Sequence, residues 1–306
     1  MWNKKHISTL QIINLEKLKG TCSELFLKRE DLIHPSVSGN KFRKLKYNIA
    51  EALERKNETL ITFGGAYSNH ISATAAAGKL AGLKTVGIIR GEELKNNFKG
   101  NLTLEFAQSC GMKFEFVSRE QYRLKDTDAY LAELSAKFSN AYIVPEGGTN
   151  ALAVKGCAEI LTDEKENFDY ICTAVGTGGT IAGLVSASDS RQTVVGYSAL
   201  KGTFQATEIK KYTSNSNYIM KDEYCFGGYA KIDLQLVRFM NEFKKQTGVL
   251  LDPVYTAKMM FGIVEDIQKG YFPKNSRILA IHTGGLQGIA GMNQQLKKKN
   301  LPQIHT

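Results

Sequence analysis

The stretch Tyr170-Ile171-Cys172-Thr173-Ala174-Val175-Gly176-Thr177-Gly178-Gly179-Thr180-Ile181-Ala182-Gly183 decides the fold of this chain. Its first six residues form a short apolar run that ends at glycine, which predicts a buried strand over Tyr170 to Val175. A helix is expected from Thr180 to Ala187. The glycines between them let backbone N–H groups turn toward an anion, and the helix amino end adds a favourable partial charge. Thr177 and Thr180 can add hydroxyl donors. No Gly-Lys-Ser/Thr closes the loop, so it is not a Walker loop, and Ile181 stands where the dinucleotide fingerprint has its third glycine. A single phosphate fits Gly176 to Thr180 better than either of those ligands. The alternative is a tight strand–helix turn that holds nothing.

Outward from this junction the same rhythm repeats. Upstream, strands are expected at Leu25 to Leu27, Leu60 to Phe63, Thr85 to Ile89, Lys113 to Val117 and Tyr142 to Val144. Helices are expected over Lys41 to Glu54, Asn69 to Ala81, Leu102 to Cys110 and Asp126 to Phe138. Downstream come helix Ala151 to Leu161, strand Thr193 to Tyr197, helices Asp233 to Lys245 and Thr256 to Lys269, strand Arg277 to Ile281 and a helix from Gly288. Such alternation implies an α/β fold of parallel sheets covered by helices on both faces. Two series meeting near Pro145-Glu146-Gly147-Gly148-Thr149-Asn150 suggest two lobes and a cleft. The glycine-rich loops fall at strand carboxyl ends, where open α/β sheets bind ligands. The most irregular stretch, Lys201 to Gly228, is a candidate mobile loop.

Composition narrows the function classes. With 306 residues the chain can bury two cores, and 42% hydrophobic with 23% charged residues is ordinary for a globular protein. The net charge of +10 comes from 40 basic and 30 acidic residues. The lysines are scattered apart from Lys297-Lys298-Lys299, which reads as a solvated terminal helix, so nucleic acid is not the expected partner. A basic surface suits anionic small substrates and a phosphorylated cofactor. The five cysteines (Cys22, Cys110, Cys157, Cys172, Cys225) form no C-x-x-C pair and no histidines have metal-ligand spacing. Neither disulfides nor a metal are expected, and the thiols read as reduced and mostly buried. Polar residues interrupt the stretch from Met1 to Glu16, and no window of about 18 apolar residues occurs, so neither a leader nor a membrane span is expected. The cytoplasm follows as the expected location.

Five other segments carry candidate chemistry. Ser38-Gly39-Asn40-Lys41-Phe42-Arg43-Lys44 delivers Lys41 to a helix start with two cations close behind. A lysine among cations, or desolvated, loses proton affinity and becomes a usable nucleophile for an aldehyde. Alone, such a lysine is more often a solvated surface residue. Gly64-Gly65-Ala66-Tyr67-Ser68-Asn69-His70 runs from a strand end into a helix, where amides and Ser68 suit a carboxylate and Asn69 a phenolic oxygen. His70 is open to acid, base or orienting roles. Asp252-Pro253-Val254-Tyr255-Thr256-Ala257-Lys258 and Ile281-His282-Thr283-Gly284-Gly285 offer Tyr255 and Thr283, while Tyr229 stands in Phe226-Gly227-Gly228-Tyr229-Ala230-Lys231. Thr283 can hydrogen-bond a heteroaromatic nitrogen without charging it.

Together and in this order, Ser-Gly-Asn-Lys, Tyr-Ser-Asn-His, Gly-Thr-Gly-Gly-Thr and Asp-Pro-Val-Tyr make the chain resemble pyridoxal-phosphate enzymes of the tryptophan-synthase-β-like fold. More closely it is similar to the family of 1-aminocyclopropane-1-carboxylate (ACC) deaminase and D-cysteine desulfhydrase. The resemblance covers nearly the whole chain, from Leu25-Phe26-Leu27-Lys28-Arg29-Glu30-Asp31 to His282-Thr283-Gly284-Gly285. It implies pyridoxal 5'-phosphate as cofactor, Lys41 as its covalent attachment point, and Lys44 with Gly176, Thr177, Gly178, Gly179 and Thr180 around its phosphate. Asn69 would contact the ring 3-oxygen, and Thr283 would face the ring. Ser68, Asn69, His70 and neighbouring amides would receive the substrate carboxylate, and Tyr229 and Tyr255 would border the reacting carbons. The resemblance also implies a homodimer and a discontinuous large domain, residues 1–43 with 151–306, enclosing a small one at 44–150.

Departures bear on the substrate, a small amino acid. ACC deaminases resemble Asp-Pro-Val-Tyr-Glu-Gly-Lys and His-Leu-Gly-Gly, whereas this chain has Thr256 and Thr283. A glutamate near the ring nitrogen would favour a charged, stronger electron sink, while a threonine leaves the sink weaker. Elimination of a thiolate tolerates that, which places the chain on the D-cysteine desulfhydrase side, with ACC deamination as the close alternative. A non-catalytic cofactor or anion carrier is the alternative of another class. Pro145-Glu146-Gly147-Gly148 and a short stretch between Tyr197 and Phe226 also depart from the family pattern.

Overall fold

A computed structural model describes residues 6–21, 23–162, 164 and 167–306. In chain order the described strands and helices are β1 (Leu10–Ile12), β2 (Glu24–Lys28), α1 (Asn40–Glu54), β3 (Thr59–Gly65), α2 (Asn69–Ala81), β4 (Lys84–Arg90), α3 (Leu102–Ser109), β5 (Lys113–Val117), α4 (Arg119–Arg123), α5 (Asp128–Lys137) and β6 (Ala141–Val144). There follow α6 (Ala151–Thr162), β7 (Tyr170–Val175), α7 (Gly179–Ala187), β8 (Thr193–Ser198), α8 (Gln205–Lys210), β9 (Tyr218–Lys221), α9 (Leu234–Thr247), α10 (Thr256–Gln268), β10 (Arg277–Ile281) and α11 (Gly288–Lys298).

The strands make two sheets. One has six strands in the order β1-β2-β10-β7-β8-β9, and the other four in the order β5-β4-β3-β6. All neighbouring pairs are parallel except β1 with β2. Alternation along β10 shows why its strand is apolar throughout. Ile278 and Ala280 pack with Met240, Ile263 and Leu296 on one face, and Leu279 and Ile281 with Ile160, Ile181 and Leu184 on the other. Burying each such Ile or Leu contributes about 1.5–3 kcal/mol. The fold is therefore α/β with helices on both faces of parallel sheets.

Helix α1 runs unbroken across positions 43 and 44. Phe42, Leu45, Ile49 and Ala52 lie on its buried face with Leu60, Ala73, Ala77 and Val144 around the four-stranded sheet. Arg43 points the other way and grips Glu30, just beyond β2, with Nε and Nη2 at 2.9 and 3.0 Å. The helix is thus pinned to both sheets, which fixes the direction of Lys41. Gly39 precedes it at φ +64°, and a Cβ there would lie 1.9 Å from the Thr283 carbonyl oxygen. That close approach brings the Lys41 and Thr283 segments together across about 240 residues of chain.

The stretch from Lys201 to Gly228 is not the irregular loop the sequence suggests. It holds α8 and β9, and β9 pairs with β8 from Val194↔Tyr218 to Tyr197↔Lys221. Of the five cysteines, Cys22 lies outside the described residues; Cys110, Cys157, Cys172 and Cys225 are free thiols. Among the described residues no helix is long and apolar enough to cross a membrane.

Candidate active site

A cleft of about 530 Å³ opens where the carboxyl ends of β3 and β7 face each other. Lys41, Lys44, Ser68, Asn69, His70, Gly176, Thr177, Gly178, Thr180, Tyr229, Tyr255 and Thr283 all line it. Gly179 lies directly behind the wall, where a Cβ would come 2.9 Å from Thr149 and 3.1 Å from Lys44 Nζ.

Burial, and then the neighbouring Lys44 cation, pull the Lys41 ammonium down to about 7, with Cys157 and Asp252 opposing. Arg43, the other cation of the motif, is neutralised by Glu30 and has no part in this shift. A large fraction of Lys41 is thus free amine near neutral pH. Among the described residues its Nζ makes only a long bond, 3.5 Å, to Asn40 Oδ1.

Lys44 belongs to the phosphate-type loop. Its Nζ donates to the Gly147 carbonyl at 2.9 Å, to Thr149 Oγ1 at 3.0 Å and to Thr177 Oγ1 at 3.3 Å. Burial lowers it to about 8, so it remains mostly charged at neutral pH. Helix α7 has Gly178 at its N-cap and so no side-chain cap, leaving its first N–H groups for a ligand. Thr180 Oγ1 accepts from Asn40 Nδ2 at 2.8 Å, which keeps its own proton available. An uncapped helix end, a lysine and side-chain-free glycines form a cradle that fits a phosphate monoester.

On the opposite wall, Ser68 caps α2 and accepts from the His70 and Ile71 N–H groups at 3.2 and 3.4 Å. Its hydroxyl proton is left to donate into the cleft. His70 is buried, and burial followed by the Lys41 and Lys44 cations holds it well below the usual histidine range, against a smaller pull from the Pro145 carbonyl. Thr62 Oγ1 lies 2.7 Å from His70 Nε2 and 2.9 Å from the Val144 carbonyl oxygen, so its hydroxyl ties the imidazole to the end of β6. Among the described residues His70 Nδ1 makes no hydrogen bond within ordinary distance. Asn69 Oδ1 accepts from Gln287 at 2.8 Å, which fixes the direction of its amide.

Tyr255 packs against Gly176, and its ring centroid is 6.1 Å from that of Tyr229, edge to face. Burial raises the Tyr255 phenol well above its ordinary range, and partial burial raises that of Tyr229, which keeps an exposed face; both stay protonated near neutral pH. Thr283 faces the cleft, but Thr256 does not. Its Oγ1 is tied to Asp252, accepting from Asp252 N at 2.7 Å beneath the wall. Sequence reading missed Asn40, Thr149, Arg90 and Glu146, which also line or support the site. The signal for Thr149 was present, since Glu146-Gly147-Gly148-Thr149 is another glycine turn at a strand end.

A nucleophilic lysine facing a phosphate cradle defines a site for a phosphorylated aldehyde. Residues 4–284 match the family described as "Pyridoxal-phosphate dependent enzyme". The chain belongs to the pyridoxal-phosphate-dependent enzyme family, and pyridoxal phosphate is its cofactor. It is 34% identical to the "Putative 1-aminocyclopropane-1-carboxylate deaminase" of Thermotoga maritima, over 89% of this chain and 92% of the relative. It is 32% identical to the "Bifunctional D-cysteine desulfhydrase/1-aminocyclopropane-1-carboxylate deaminase, mitochondrial" of Arabidopsis thaliana, over 87% of this chain and 73% of that one. The crystal structure of an ACC deaminase homologue superposes with a TM-score of 0.83 at 28% identity, covering 96% of this chain and 94% of that one. A tomato threonine deaminase at 17% identity and TM-score 0.65 shares the fold.

Proposed function

We propose that the chain is a pyridoxal-phosphate-dependent lyase that converts D-cysteine and water to pyruvate, hydrogen sulfide and ammonia. Thr283 carries this reading, as a neutral hydroxyl on the cleft wall where the ACC deaminase pattern has leucine. Lys41 would hold the cofactor aldehyde, and Lys44, Thr177, Thr180 and the α7 amides its phosphate. Asn69 would meet the ring 3-oxygen. The cofactor, when bound, supplies an electron-withdrawing ring that stabilises negative charge at the substrate α-carbon.

The chain's own residues do the rest. Ser68 Oγ, already accepting two N–H bonds, donates to the substrate carboxylate, and His70 braces that helix end as a neutral ring. Lys41 Nζ takes and returns a proton near neutral pH. Tyr229 and Tyr255, which stay protonated on the cleft wall, would give a proton to the departing sulfur. We read the chain as two lobes, 44–150 around the smaller sheet and the remainder around the larger. A cytoplasmic homodimer is the expected assembly; the free described thiols support the location and the family resemblance the dimer.

ACC deamination, which yields 2-oxobutanoate and ammonia, is the second reading, favoured by the names of the archaeal and bacterial relatives. Measuring 2-oxo acid release from D-cysteine, ACC, D-serine and β-chloro-D-alanine separates the two. The D-cysteine reading expects sulfide and pyruvate in equal amounts and a colourless, inactive Lys41→Ala protein. Faster turnover of ACC would overturn the substrate, and a cofactor-bound protein inert toward all four would make it a carrier.

A further inference from the structure

The segment carrying Tyr229 is an unusual piece of backbone. Phe226 and Ala230 have φ of +52° and +55°, and Gly227 and Gly228 have +84° and +116°. Two turns follow one another, closed by Gly228 N–H to the Cys225 carbonyl at 3.0 Å and Lys231 N–H to the Gly228 carbonyl at 3.2 Å. Two non-glycine residues in the left-handed region are held there only when surroundings over-determine them.

Lys258, on the first turn of α10, supplies that constraint. Its side chain is buried, 1% exposed, and Nζ donates to the carbonyls of Cys225 at 2.8 Å and Gly228 at 2.7 Å. These are the two acceptors that close the two turns. A buried ammonium is costly unless it is hydrogen-bonded, so the pair of carbonyls and the lysine hold one another in place. The same helix begins directly after Tyr255, and its Phe261 packs edge to face on Phe226 at 5.0 Å.

We propose that Lys258 is a positioning residue that sets Tyr229 against Tyr255 over the cleft by clamping the Cys225 and Gly228 carbonyls. One helix end then places both phenols, Tyr255 through the backbone and Tyr229 through this clamp. The clamp does not depend on which amino acid is turned over; only the kinetic part of its test rests on the lyase reading above.

The test compares the holoenzyme with Lys258→Met, which keeps the bulk and loses the donors. Amides of residues 225–231 should exchange with deuterium about tenfold faster or more while those of β7 do not change. With the substrate found active, kcat should fall about tenfold or more with a smaller change in KM, and Tyr229→Phe should cost nothing further in the Lys258→Met background. Unchanged exchange at 225–231, or a full Tyr229→Phe effect in that background, overturns the proposal. Should Lys258→Met fail to fold, Gly228→Ala, which puts a side chain at φ +116°, disturbs the same acceptor and must show the same exchange pattern. If no amino acid is turned over, the exchange result still decides the clamp.

Discussion

Two strand-to-helix junctions open onto the same cleft, one at Gly176 to Thr180 and one at Gly65 to His70, and they treat an anion differently. At the second, Ser68 caps α2 and consumes two first-turn N–H groups. At the first, Gly178 caps α7 with no side chain at all, and Lys44 stands beside the gap. Both are glycine-rich turns in the sequence, yet one has spent much of its donor capacity on itself. The uncapped end suits a permanent, strongly charged phosphate, and the capped end a singly charged carboxylate that must come and go.

The sharpest way to break this contrast is Gly179→Ala. Its methyl would enter the space between Thr149 and Lys44 Nζ, at 2.9 and 3.1 Å, without a strained backbone. Cofactor affinity should fall roughly 10- to 100-fold, which is about 1.4–2.7 kcal/mol, as read by titration of visible absorbance. Unchanged affinity would mean that the phosphate does not sit at α7.

Lys41 lies between the two junctions, and its ionisation sharpens the comparison. With Lys41 lowered to about 7, the rate of cofactor uptake by the apo-protein should rise with pH and level off above that point. Below it, each pH unit should slow the reaction about tenfold, because only the free amine attacks an aldehyde. A rate still climbing through pH 9 would show that burial and Lys44 do not depress Lys41.

Sequence carried much of this picture because much of it is local. Apolar runs with glycines just beyond them marked β3, β7 and β10, and the three loops at their ends gave the carboxylate-type, phosphate-type and Thr283 walls. What escaped lies at edges and in long-range contacts. β1 and β9 are three and four residues long with partly exposed faces, so neither has the apolar run that betrays a central strand. Nor can local pattern show that β10 inserts between β2 and β7. Asn40 meets Thr180 across 140 positions, and Lys258 meets Cys225 across 33; such pairings leave no periodic trace. Thr256 shows the reverse error. Its neighbourhood in sequence suggested the cofactor ring, but its hydroxyl turns back on Asp252.

The smallest expected effect tests the capped junction. In Ser68→Ala, α2 loses the acceptor for two N–H groups, which should cost about 1 kcal/mol of stability in denaturant unfolding. The same change removes the hydroxyl proposed to donate to the substrate, so KM should rise roughly fivefold, about the worth of one neutral hydrogen bond. Cofactor affinity should stay as it was, since the phosphate end is untouched. Ser68→Thr keeps the oxygen and should restore both stability and KM. If Ser68→Ala instead weakened the cofactor as much as Gly179→Ala does, the division of labour between the two helix ends would be wrong, and the capped end would be part of the cofactor's own hold.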